Sequence, residues 1–275
     1  MNSKKNLTSP SSRAAEPGGG RTIEPGFPLM FNRPGPIDAL EVYEQLYGQG
    51  VRVFHVDATC SEDIYQPALR AWVSPDRFDY SPQEAGWEAL VRRCPDARFC
   101  FRLYVASPPW WDEAYPEELQ RYPGDRAEHA FLWTARRSIT SLASERWMED
   151  AEVALCRFLA WLESSGWCRC VWGLHLSYGI TWEWGILGSD DFPDYSEPMR
   201  RRFRAWLEET YRSADALQKA WSRPGLTFED AGIPRPVERL LADGDFRVFP
   251  RDRPAYDFQR CLSDANADYL HRLAR

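Results

Sequence analysis

A chain of 275 residues, 44% hydrophobic and with a formal net charge of −7, has the length of one α/β barrel or two smaller domains and enough apolar side chains for a real core. Its basic residues are scattered and offset by acids, which speaks against a nucleic-acid surface, and no stretch approaches the roughly 18 apolar residues of a membrane span. The 13 Trp, 12 Tyr and 14 Phe serve core packing first, and by composition also allow aromatic platforms for sugar rings.

Residues 1–24 are Ser, Pro, Gly and charge, with Gly at 18–20, and are expected to form a disordered tail. The two lysines near the start have no apolar run after them, so no secretory signal is expected. The folded domain is expected over 25–275. The run 27–31 (FPLMF) reads as a first strand, and Leu40, Tyr43, Leu46 and Tyr47 recur at helical spacing within 37–47, stopped by Gly48 and Gly50.

Residues 52–59 (RVFHVDAT) read as the next strand, with Val53, His55 and Asp57 on one face and Phe54 and Val56 on the other. His55 and Asp57 near its end are candidate site residues, although a single strand histidine is more often a satisfied core or rim residue. After a longer connection, Ser81-Pro82-x-Glu84 opens a helix with Ser81 as N-cap and Trp87, Leu90 and Val91 as its buried stripe. The third strand, 98–107, runs into Pro108 and Pro109, which cannot extend its hydrogen-bond ladder. Trp110 and Trp111 then stand on the following loop, as a cap on the core or as a wall for a sugar. Arg102 is costly to bury in mid-strand without a carboxylate or polar ligand, so it reads as a site residue or as half of a structural ion pair.

A helix over 144–164 is stopped by Gly166, and 168–178 reads as a strand apolar on both faces, which predicts that it is buried. Val171, Gly173, His175 and Ser177 share one of those faces. Beyond it, Glu183 stands between Trp182 and Trp184. At the C-terminal end of a barrel strand such a carboxylate is a candidate general acid for sugar chemistry; the plainer alternative is a solvated loop charge. Helices follow at 196–211 and 213–221, then a Pro-rich excursion over 222–254 and a last helix over 255–273. Seven cysteines, odd in number and mostly within predicted elements, read as free thiols of a reducing compartment, so a cytoplasmic protein is expected. Cys168 and Cys170 have no further ligands at metal spacing; neither a metal nor another cofactor is assigned.

Four strand-then-helix units in strict alternation predict an α/β fold of the (β/α)8 TIM-barrel type, with about half of the barrel in this chain. Four strings, FRLYVASPPWWDEAYPEEL at 101–119, SLASERWMEDAEVALCRFLAWLESS at 141–165, VWGLHLSYGITWEWG at 171–185 and MRRRFRAWLEETYRSADALQKAW at 199–221, occur in the order seen in β-galactosidase-like enzymes. The chain thus resembles glycoside hydrolase family 42, retaining glycosidases of the barrel superfamily called clan A. The resemblance implies a carbohydrate substrate and an acid/base Glu after the fourth strand, here Glu183. Trp110, Trp111 and Trp184 would then shape sugar subsites, and Asp57, Arg102 and His175 would hydrogen-bond hydroxyls.

Two positions depart from that pattern. Clan A enzymes usually place Asn before the acid/base Glu, and here Trp182 stands there. Their nucleophile follows a seventh strand, for which nothing in 222–275 reads as a counterpart. The expectation is therefore a truncated enzyme or a half-barrel that self-associates or pairs with a missing half; a non-catalytic carbohydrate-binding or interaction half-barrel is the alternative.

Overall fold

The computed structural model describes residues 29–33, 37–124, 139–178, 193–240 and 247–275; the N-terminal tail and the segment holding Glu183 and Trp184 lie outside them. Strands β1 (Met30–Asn32), β2 (Val53–Thr59), β5 (Arg98–Tyr104) and β6 (Val171–Ser177) form one parallel sheet in the order β1-β2-β5-β6. Helices α1 (Leu40–Gly48), α2 (Ser81–Arg93) and α4 (Glu145–Ser164) return the chain between these strands. After β6 come α5 (Glu197–Tyr211), α6 (Ala214–Trp221), the single turn α7 (Pro236–Arg239) and α8 (Arg253–Leu273). These are four βα units of the (β/α)8 barrel type, half the number that closes a barrel.

Alternation along each strand separates two chemistries. Phe54, Val56 and Ala58 of β2 and Phe99, Phe101 and Leu103 of β5 join the main hydrophobic core, where Tyr43 of α1 packs on Phe54 at 5.4 Å and Trp87 of α2 on Phe101 at 4.5 Å between ring centroids. The opposite face carries His55, Asp57 and Arg102, so both faces of β2 are buried, one under helices and the other among polar side chains.

Helix α4 follows its sequence closely. The Ser144 hydroxyl accepts the Trp147 N–H, and Trp147, Met148, Ala151, Ala154, Leu155, Phe158 and Leu162 are buried at helical spacing. It stops just before Gly166, whose φ of 80° suits a residue without a Cβ. The long excursion is tied down in part, since Ala231, Ile233 and Arg239 are buried. Asp257 of α8, fully buried, accepts hydrogen bonds from Tyr211 of α5 (2.6 Å), Trp221 of α6 (2.8 Å) and Arg253 (2.8 Å), joining three helices.

Five local expectations are corrected. A short hairpin, β3 (Trp72–Ser74) with β4 (Arg77–Phe78), stands in the connection after β2, held by stacking of Trp72 on Phe78. Ser81 is the first residue of α2 rather than its cap; its N–H and hydroxyl both donate to Asp79. The Pro-Pro-Trp-Trp segment forms a helix, α3 (Pro109–Ala114), because Pro109 sits in its first turn, where a missing N–H costs nothing. Residues 167–170 form a 3-10 turn, so β6 starts at Val171. Nor is β6 buried: Trp172 is 51% and Leu174 40% exposed, because among the described residues it is an edge strand with no neighbour beyond it.

Candidate functional site

Parallel register sets the polar face of the sheet in layers. Asn32, His55, Cys100 and Gly173 stand side by side in one layer, and Asp57, Arg102 and His175 in the next, closer to the C-terminal ends of the strands. Asp57 and Arg102 are only 8% and 6% exposed and form an ion pair through Oδ1 and Nη2. The other Asp57 oxygen accepts from Gln66 Nε2 at 2.8 Å.

Gln66 comes from the connection after β2, which is pinned to the end of β5. Ser61 donates to the Ala106 carbonyl at 2.7 Å, Glu62 and Ala106 form a bridge, and buried Glu62 pairs with Arg70. Asp63 then accepts the N–H groups of Tyr65 (2.9 Å) and Gln66 (3.2 Å), a turn closed by its own side chain, and Gln66 Nε2 also reaches its second oxygen at 3.3 Å.

Burial pushes the Asp63 carboxyl up to about 6; the Tyr65 N–H opposes the shift and the Asp57 charge adds to it. The native state therefore holds this proton more tightly than the unfolded chain does. The cost of ionising Asp63 is absent below the unfolded carboxyl range near pH 4 and complete above about pH 6. Asp63→Asn, which keeps an oxygen for the turn, is expected to stabilise the protein at pH 7.5 more than at pH 4. Urea unfolding at the two pH values checks this, and equal effects at both would show Asp63 to be solvated.

His55 and His175 lie with ring planes 18° from parallel and centroids 5.1 Å apart, and His55 Nε2 is 3.1 Å from His175 Nδ1. The His55 Nδ1 is 2.7 Å from Asn32 Oδ1. Burial, then the Arg102 guanidinium and the second imidazole, pull His55 down to about 4. Burial and Arg102 also lower His175. Both rings are thus neutral at physiological pH.

The adjacent indoles part company. Trp110 is half-buried, donates to the Trp72 carbonyl at 3.1 Å and meets the Trp72 ring edge-on at 5.0 Å. Trp111 is fully buried, packs edge-on against Trp147 of α4 at 5.1 Å and donates to Asp150 at 2.7 Å. It lies in the core and not on a ligand-facing wall, because a helix turns consecutive side chains about 100° apart.

Glu183 and Trp184 lie outside the described residues, but the chain on either side of them is fixed. Tyr178 is buried and donates to the Thr140 carbonyl at 2.5 Å. Asp194, also buried, accepts the N–H groups of Arg121 (3.1 Å) and Ser196 (2.8 Å), and burial raises its carboxyl.

The structure brings Asp57, Arg102 and His175 together on one face and adds Asn32, Gln66 and Asp63. Gln66 and Asp63 are single polar residues in a connection, where no periodicity marks them; for Asn32 the only signal was its place after a short apolar run. Among the described residues no three His, Cys, Asp or Glu side chains are grouped to hold a metal ion, and no helix is long and apolar enough to cross a membrane. A guanidinium, a carboxylate, an amide and neutral imidazoles on one face of the sheet suit a ligand rich in hydroxyls.

Comparison with known proteins bears on family and fold. The glycoside hydrolase family 42 model, described as beta-galactosidase, matches residues 104–274. The β-galactosidase from the psychrophilic Marinomonas ef1 superposes with a TM-score of 0.58 at 19% identity, over 85% of this chain and 32% of that one. The β-galactosidase from Bacillus circulans sp. alkalophilus gives 0.57 at 17% identity, over 86% and 32%. The catalytic domain of a β-amylase from Paenibacillus polymyxa gives 0.56 at 14%, over 88% and 60%. Likeness at such identities is one of fold, and the chain spans about a third of the length of the two β-galactosidases.

Proposed function

This chain belongs to glycoside hydrolase family 42, and on that premise we propose that it serves glycoside hydrolysis of the β-galactosidase type, with Glu183 as general acid/base. The observation that carries the reading is the polar layer of Asp57, Arg102 and His175 on the inner face of a parallel sheet, toward the strand ends where barrel chemistry is placed. Buried pairing of Asp57 with Arg102 and Gln66 holds these groups in place before any ligand arrives. In this reading they hydrogen-bond sugar hydroxyls, while Trp110 and Trp184 supply apolar faces for the ring.

Retaining hydrolysis needs two carboxyl groups about 5–5.5 Å apart, one protonating the leaving oxygen and the other attacking the anomeric carbon. The second comes, in this proposal, from outside the four βα units, through a further half of the barrel in the same polypeptide, another chain or a second copy. Trp172 and Leu174, exposed on β6 at the edge of the sheet among the described residues, support such pairing as apolar side chains open to a neighbour. A cytoplasmic location is part of the proposal and rests on seven free cysteines.

Release of nitrophenol from 4-nitrophenyl β-D-galactoside by the native assembly tests the activity. Glu183→Gln is expected to lower kcat at least about 100-fold; an unchanged rate would remove Glu183 from its role. The same edge strand and the four-stranded sheet also suit a second reading, a half-barrel that binds carbohydrate without cleaving it. Saturable galactoside binding with no turnover in any assembly would favour that one.

A further inference from the structure

The inner-face imidazoles are ordered by a neighbour that no family motif above includes. Asn32 Oδ1 is an acceptor only, so at 2.7 Å the His55 Nδ1 must carry the proton. A neutral imidazole has one N–H, which leaves the His55 Nε2 as a lone pair. At 3.1 Å from it, the His175 Nδ1 must then be the donor, with the two ring planes 18° from parallel and their centroids 5.1 Å apart. By the same count the His175 Nε2 is left as a lone pair. His175 is solvent-exposed on the open face of the sheet, whereas His55 is buried beside it.

We propose that Asn32 and His55 are positioning residues that, through one directed chain of hydrogen bonds, fix His175 as a neutral acceptor for a ligand hydroxyl at its Nε2. The chain of tautomers stands on the geometry and on both rings being neutral; that the hydroxyl belongs to a sugar rests on the function proposed above. The charged and titratable groups around the pair are Arg102 and Cys100 on β5 and Asp57 on β2, with Asp63 beyond Asp57. Arg102 disfavours a second positive charge on either ring, which keeps both neutral as the relay requires. A protonated His175 would donate at Nε2 and reverse the recognition.

With four histidines in the chain, long-range 15N–1H spectra of labelled protein can be assigned by single His→Gln variants. The expected result is a protonated Nδ1 and an unprotonated Nε2 on both His55 and His175, and movement of the His175 Nε2 signal on titration with D-galactose. Asn32 is exposed on a short edge strand, so its variants should fold. Asn32→Asp keeps an acceptor and should preserve both tautomers, whereas Asn32→Leu should release His55 and shift the proton of His175 toward Nε2.

Protons on Nε2 in the unaltered protein, or tautomers indifferent to Asn32→Leu, would overturn the relay. D-galactose shifting signals elsewhere while His175 stays still would overturn its use in recognition. If no signal in the protein responds to D-galactose, the sugar reading is what fails, and the relay is judged by its tautomers.

Discussion

Asp57→Leu is expected to lower the free energy of unfolding by about 3–5 kcal/mol, because the Arg102 guanidinium would stay buried without this carboxylate. Removing one member of a buried ion pair costs far more than the pair contributes, since the remaining charge has already given up its water. Arg102→Met is expected to cost a similar amount for the converse reason. The double variant, Asp57→Leu with Arg102→Met, should recover most of either loss, because apolar side chains of similar volume satisfy the site without charge. Urea denaturation of the three variants decides the matter: a loss below about 1 kcal/mol for Asp57→Leu would mean that water reaches the pair. The double variant then also separates function from folding. If it folds well yet binds no galactoside, the pair serves recognition, which accounts for two charges standing where leucine and methionine would hold the sheet as well.

Arg102 shows how far the sequence alone reaches. Its place in an apolar strand predicts a buried charge needing a carboxylate, and alternation puts it on one face, but the identity of the partner depends on register. Asp57 lies opposite Arg102 only because β2 and β5 pair residue for residue in parallel, a non-local choice that no window of sequence contains. Helices were more legible, since their period is local: the buried stripe of α4 and the serine caps of α4, α5 and α6 can be read directly. Ser81 misleads because its N–H and its hydroxyl both donate to Asp79, two residues upstream, so that it stands as the first residue of α2 and not as its cap. Burial of β6 was illegible for a different reason. Its apolar residues state what the strand is built to pack against, and not whether that neighbour is among the described residues.

The two tryptophans of α3 are identical to any reading of composition, and they should respond oppositely to truncation. Trp111→Ala is expected to cost about 3–5 kcal/mol, since a fully buried indole between α3 and α4 is lost together with its hydrogen bond to Asp150. Trp110→Ala should cost clearly less, as its ring is half-exposed and leans on Trp72 at one edge. For ligand binding the order reverses. With Trp111 facing the core, only Trp110 is left on this segment to offer a face to a sugar, so Trp110→Ala is expected to weaken galactoside binding while leaving the fold nearly intact. Thermal unfolding and a binding titration on the two variants together test the assignment. Equal losses of stability would contradict the packing described, and an unchanged affinity in Trp110→Ala would leave the aromatic wall to Trp184 alone.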